Sequence, residues 1–298
     1  MGEGLQYFLQ LFASGITVGC LYALIALGLV LIFKATDILN FAQGEIIMIS
    51  AFICYALVVR FHFPYWIAFL VTCLVAFIIG ILTERILFRP MIGEPVFAVV
   101  MVTIGLSIFI RAMVGIIFGH ENLLFPSPFS EETINLWGIT LSHAQIWTTL
   151  STVLLITLFF IVFKYTRLGL AMRGTANNQV IAPLMGISVK RIFAMILGVS
   201  FVTSAVAGFF LINVMVLNIS LSLVMVAALP AIVLGGLESI PGAVIGGLAV
   251  GVIENMTGGY LDQIIGGGVK DVTPFVVLFL ILMIRPYGLF GKEEVERV

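Results

Sequence analysis

The chain carries a series of apolar stretches, most of them about as long as a membrane span, repeating from one end to the other. The stretches cover residues 5–33, 38–60, 64–82, 95–118, 145–164 and 192–216, then two shorter ones at 219–234 and 243–256, and a last one at 272–284. A bilayer core is crossed by about 20 mostly apolar residues in a helix. Inside lipid the backbone must satisfy its own hydrogen bonds, which restricts apolar spans of this length to helices. The expected fold is all-α and polytopic, with eight or nine transmembrane helices in a single domain over residues 1–298. The first stretch exceeds the thickness of the core and must tilt or extend into the interface. It begins with Glu3 instead of a basic segment, and from Leu5 to Phe33 it is too long for the core of a cleaved signal, so it is expected to stay as the first span. Composition closes the soluble alternative: 61% of the 298 residues are hydrophobic and 10% are charged, against roughly 25% charged in a soluble domain. A pI near 6.3 leaves no basic patch for nucleic acid.

Chemistry-bearing patterns are sparse. The sequence has no GxxxxGK[ST], HExxH or GxSxG pattern, which argues against nucleotide binding by a P-loop and against the common hydrolase sites. Cys20, Cys54 and Cys73 lie in apolar runs without paired spacing, and His62, His120 and His143 are scattered in or beside loops. Neither a metal site nor a catalytic constellation is expected. Acidic residues along the spans, which an ion-coupled carrier uses, are nearly absent. Ionisable residues inside the runs are few, and Arg111 and Glu254, the latter beside Asn255, stand out. They read either as functional groups or as side chains snorkelling from near a helix end.

Lys and Arg in the loops set an orientation. Loop 119–144 has neither and carries Glu121, Glu131 and Glu132, which places it outside. Loop 83–94 (Arg85, Arg89), loop 165–191 (Arg167, Arg173, Lys190, Arg191) and the tail (Arg285, Lys292, Arg297) are placed inside. Counting back, the N-terminus lies outside and the C-terminus in the cytoplasm.

Two breaks interrupt the apolar pattern. In Lys34–Glu45, the polar residues Asp37, Asn40, Gln43 and Glu45 cluster where the second span begins. Asn40 is expected to cap that helix with Gln43 three residues on, and the cluster reads as a polar helix start or as a polar lining near the cytoplasmic mouth. At 235–242 the sequence Gly-Gly-Leu-Glu-Ser-Ile-Pro-Gly separates two runs, each too short for a full span. The pair reads as two short crossings or one re-entrant hairpin, and the break as a simple turn or a pathway lining. Gly235, Gly236, Glu238, Pro241 and Glu254 are the pathway candidates there. Gly242/Gly246 and Gly247/Gly251 have the spacing for close helix packing.

The loop 165–191 is long and ordered in pattern. Thr175 or Asn177 is placed to start a short helix and Gly186 to end it, with Val180, Ile181, Leu184 and Met185 as an apolar stripe and Pro183 as a kink. Such a helix serves as a docking knob for a soluble partner or rests on lipid.

Four motifs carry a family resemblance. They are Leu39-Asn-Phe-Ala-Gln-Gly-Glu45, the loop from Arg167 through Leu184-Met-Gly-Ile-Ser188, Val233-Leu-Gly-Gly-Leu-Glu-Ser-Ile-Pro-Gly-Ala-Val-Ile-Gly-Gly247, and Arg285-Pro-Tyr-Gly-Leu-Phe-Gly291. Spread from end to end, they resemble the branched-chain amino acid ABC transporter permease family of the LivH type. The resemblance implies a permease of the bacterial inner membrane with no catalytic residues, no metal and no cofactor of its own. It implies a second homologous permease, two cytoplasmic ATP-binding subunits that hold the ATP, and a periplasmic substrate-binding protein as partners. It identifies the loop with the ATPase-coupling segment, with Arg167, Arg173, Asn177, Asn178, Leu184, Met185 and Gly186 as its residues. It leaves Asn40, Gln43 and Glu45 with the second break as pathway candidates. Two positions depart from the family pattern: Asn177 and Asn178 stand where an acidic pair is usual, and Ala227 where a lysine is frequent. A related small solute such as urea, an amide or another amino acid is the alternative cargo, and a self-sufficient channel or ion-coupled carrier the alternative class.

Overall fold

A computed structural model describes residues 3–127, 129, 133–136, 139–177, 182–285 and 287–291. The described chain is helical nearly throughout. Its elements are α1 (Glu3–Thr36), α2 (Gln43–Tyr55), α3 (Tyr65–Thr83), α4 (Val96–Phe118), a hairpin of β1 (Thr133–Leu136) and β2 (Ile139–Ser142), then α5 (His143–Tyr165), α6 (Arg167–Asn177), α7 (Val189–Leu211), α8 (Val224–Gly235), α9 (Ile240–Ile265) and α10 (Val269–Ile284). Among the described residues seven helical stretches are long and apolar enough to cross a membrane, and Ile219–Gly235 is a shorter apolar one. Each apolar run read from the sequence is carried by a helix. π-turns at Ala56–Arg60 and Glu84–Phe88 extend α2 and α3.

The run at 243–256 is an underestimate. Helix α9 has 26 residues, about 39 Å at 1.5 Å per residue, so the runs around the second break are not matched short halves. Polar residues in its last turns, Thr257, Asp262 and Gln263, interrupt the apolar pattern but not the backbone ladder. The hairpin was not foreseen, because its strands are four residues each inside a polar loop.

The chain divides into two compact units. The first comprises Met1–Val30, Phe129–Thr152 and Met225–Val298. Its α1 and α9 lie against each other along small residues: a side chain at Gly15 or Gly19 would meet the backbone of Val252 or Leu248, both at 2.8 Å, and Gly251 and Gly247 face Gly19 and Ala23 in turn. Such four-residue spacing of glycines lets helices approach closely where no hydrophobic force separates lipid from protein. Helix α9 starts at Ser239, whose hydroxyl accepts from Gly242 N at 3.1 Å, with a proline in the first turn, and ends at left-handed Gly266. Gln10 holds β2 by a reciprocal pair with the Thr140 backbone at 2.6 and 2.8 Å.

The second unit comprises Leu31–Pro128 and Val153–Val224. Here α7 is flanked by α3 at Gly80 and Gly198 and by α2 at Gly208. Tyr65 and Phe69 of α3 pack on Phe209 of α7. Leu123 and Leu217 exchange backbone hydrogen bonds of 2.9 and 3.1 Å, which puts the start of the 119–144 loop and the segment after α7 at one end of this unit.

Candidate functional site

In the second unit α1 ends at Thr36 and α2 begins at Gln43, and the residues between them are unwound, with Asn40 and Ala42 buried and Asp37 and Phe41 exposed. Asp37 sits at a positive φ of 57°, a conformation short polar residues tolerate better than most. The helix cap is Ala42, which has no side-chain cap bond, and not Asn40 as the sequence suggested. Asn40 instead folds its Oδ1 onto Ala42 N at 3.1 Å, a turn Asn makes with its own side chain. Its Nδ2 reaches Gln43 Oε1 at 3.4 Å. Gln43 Nε2 donates to Ser200 Oγ at 3.0 Å and Ser204 Oγ at 2.5 Å, two hydroxyls one turn apart on α7. Phe41 N donates to Thr103 Oγ1 of α4 at 3.4 Å. Glu45, 3% exposed, pairs with Arg111 Nη2 of α4 at 2.6 Å, and the same nitrogen lies 3.1 Å from Ser222 Oγ.

These contacts fix the depth of the link. Ser200 is the middle residue of α7 and Thr103–Arg111 brackets the middle of α4. The link therefore lies at mid-length of the helices around it. Irregular backbone at such depth persists only where protein covers it or a cavity hydrates it. Its partners Thr103, Ser200, Ser204 and Ser222 carry no signal of their own, apart from the i, i+4 spacing of the two α7 serines in an apolar run. Arg111 pairs with the buried carboxylate of Glu45 while its own side chain stays 47% exposed.

The second break, in the first unit, is a tight turn. Gly236 has φ of 91°, and a side chain there would meet Gly291 N at 2.6 Å. The tail packs on this turn: Leu289 N donates to Leu234 O at 2.8 Å, and Gly288, φ 77°, leaves no room for a side chain over Val233 O. Gly235 and Gly236 are buried, whereas Glu238 and Pro241 are exposed. Glu254 lies fourteen residues into α9, buried, and accepts from Tyr22 Oη at 2.7 Å, with Lys270 Nζ at 3.9 Å. Of the pathway candidates, Asn40, Gln43 and Glu45 come together in the second unit. Gly235, Gly236, Glu238 and Pro241 share the tail-bearing turn, apart from Glu254.

Only the ends of the expected coupling stretch lie among the described residues. Helix α6 covers Arg167–Asn177, and residues 182–185 form a single 3₁₀ turn closed by Gly186 at φ 79°. Thr175 does not start a helix; it is buried inside α6 and donates to Ala171 O at 2.9 Å. Asn178, Val180 and Ile181 lie outside the described residues. Arg173 donates to the carbonyls of Phe163 and Lys164 at 3.0 and 3.2 Å, satisfying the last turn of α5. Arg167 is exposed, and Leu184 and Met185 are 82% and 77% exposed.

Comparison with known proteins agrees with this architecture. The profile of the family described as branched-chain amino acid transport system / permease component matches residues 11–284. The chain is 33% identical to the high-affinity branched-chain amino acid transport system permease protein LivH of Salmonella typhimurium, over all of both chains. It is 31% identical to the permease protein BraD of Pseudomonas aeruginosa over 99% of each. It is 28% identical to a probable branched-chain amino acid transport permease of Methanocaldococcus jannaschii, over 92% of this chain and 89% of that one. A solved structure, PsaBC from Streptococcus pneumoniae in complex with Fab, superposes with a TM-score of 0.54 over 97% of this chain and 96% of its own at 14% identity, a likeness of fold alone. By its sequence from end to end, this multi-pass chain belongs to the branched-chain amino acid transport permease family.

Proposed function

We propose that the chain is the permease subunit of an ABC importer that carries branched-chain or other apolar amino acids across the bacterial cytoplasmic membrane. The observation that carries this reading is the unwound link at mid-length of α4 and α7, where the buried polar side chains of Asn40, Gln43 and Glu45 interrupt otherwise apolar helices. Breaks at such depth are where transporters hold or pass their cargo. The names of the full-length relatives support an amino acid as that cargo. The chain acts as one transmembrane domain and supplies passage without ATP chemistry. Two cytoplasmic ATP-binding subunits bind and hydrolyse the nucleotide, a second homologous permease completes the pore, and a periplasmic binding protein delivers the solute.

In this arrangement the N-terminus and loop 119–144 face the periplasm, and loop 165–191 and the C-terminus face the cytoplasm. The Leu123–Leu217 bridge supports the alternation, since residue 217 is one crossing beyond the basic loop. The exposed Leu184–Met185 turn seats in an ATPase subunit. Closure of the ATPases moves that turn, the helices rock, and the link is exposed first to one side and then to the other.

Reconstitution tests the proposal. Proteoliposomes holding both permeases and both ATPases should take up radiolabelled leucine only with ATP on the ATPase side and binding protein on the other. Uptake by the permeases alone would overturn it in favour of a self-sufficient carrier.

A further inference from the structure

Resting on the reading just given, we infer that Glu45 and Arg111 are the recognition pair for the charged head of a zwitterionic amino acid, opening to exchange each other for the substrate's ammonium and carboxylate.

The pair joins the start of α2, directly after the unwound link, to α4, with 2.6 Å between Arg111 Nη2 and Glu45 Oε1. Arg111 lies seven residues from the end of α4, about 10 Å inward at 1.5 Å per residue. Charges within a span are costly to hold, and replacing a buried ion pair by apolar side chains of similar volume is often neutral or stabilising. Stability alone therefore gives a weak reason for its presence.

The geometry is asymmetric. The Glu45 side chain is 4% exposed, while that of Arg111 is 47% exposed. Among the described residues, the guanidinium spends a single nitrogen, Nη2, on both Glu45 and Ser222. The planar fork matches a carboxylate bidentately, so Nε and Nη1 can receive a substrate carboxylate before the existing pair is given up. The α-ammonium, one carbon away from that carboxylate, then lies next to Glu45. Each charge trades one opposite partner for another, and no net charge is added to the apolar surroundings. A neutral solute such as urea offers neither partner and cannot open the pair by this exchange. The site thus selects α-amino acids by their common head group and leaves the side chain to the apolar surroundings and to the binding protein.

The test is a charge cycle in the complete transporter. Glu45→Gln, Arg111→Gln and the double variant are assembled with all partner subunits. Two quantities are followed, leucine uptake and the stimulation of ATP hydrolysis by loaded binding protein. If the pair were scaffolding, each single would leave a charge without its partner, buried in the case of Glu45, and the neutral double would recover. As a recognition pair, the double stays at least about tenfold below wild type in uptake, while remaining assembled and still hydrolysing ATP on stimulation. Arg111→Lys keeps the charge, loses the fork, and should fall between. Recovery of uptake in the neutral double, or failure of that double to assemble, overturns the proposal. A wild-type complex that moves urea or an amide but no amino acid would instead refute the substrate reading beneath it.

Discussion

Leu184→Asp tests the coupling turn most directly. Leu184 is 82% exposed and sits on a 3₁₀ turn closed by Gly186, so little of its side chain supports the permease itself. Burying a whole leucine side chain is worth about 1.5–3 kcal/mol, and nearly all of that remains for a partner to gain. Losing it costs about 2 kcal/mol, roughly thirtyfold in Kd at 1.4 kcal/mol per decade, and an aspartate carboxylate forced into an apolar cleft adds to the loss. The expected outcome is a permease that inserts, resists heat like wild type and releases its ATPases during affinity purification. Subunit stoichiometry from densitometry and leucine uptake in vesicles are the readouts. Met185→Asp should behave alike, because its neighbouring side chain is 77% exposed. Stoichiometric ATPases and full uptake in the Leu184→Asp variant would refute the docking argument and leave the turn as a lipid-resting loop.

Gly236→Ala places a side-chain carbon 2.6 Å from Gly291 N at a left-handed φ. It should cost about 2 kcal/mol and loosen the tail, seen as faster proteolysis after residue 285. An unchanged cleavage rate would argue against the tail lock. Gly19→Leu drives a side chain into the Leu248 backbone, where the nearest approach is already 2.8 Å; we expect a loss of about 1–3 kcal/mol and a lower unfolding midpoint in detergent, with no drop indicating that α1 and α9 part freely. In a background lacking Cys20, Cys54 and Cys73, an impermeant thiol reagent on intact cells should label a cysteine at Asn122 and spare one at Leu170, and the reverse pattern would invert the orientation.

Much of the fold was legible in the sequence because lipid imposes a one-dimensional rule. A segment without water must close its own hydrogen bonds, so apolar length translates into helix, and the runs at 95–118 and 145–164 match α4 and α5 to within two residues. Local chemistry was equally readable at Gly186, where a left-handed exit depends on neighbours close in the chain. The polar cluster at Asn40, Gln43 and Glu45 stood out for the same reason.

What those residues do was decided by residues far away in sequence. Glu45 meets Arg111 across 66 positions, and Gln43 meets Ser200 and Ser204 across 157 and 161. Nothing in a hydropathy pattern encodes which helix stands beside which. The depth of the link likewise follows from its contacts and not from its place at the edge of a run. Gly236 shows the converse: its glycine is explained by Gly291, which the tail brings back over the turn. Helix identity was thus written in local apolarity. The pairing of Glu45 with Arg111 and the room left by small residues came only from tertiary packing, because they are set by distances between segments that the chain itself keeps apart.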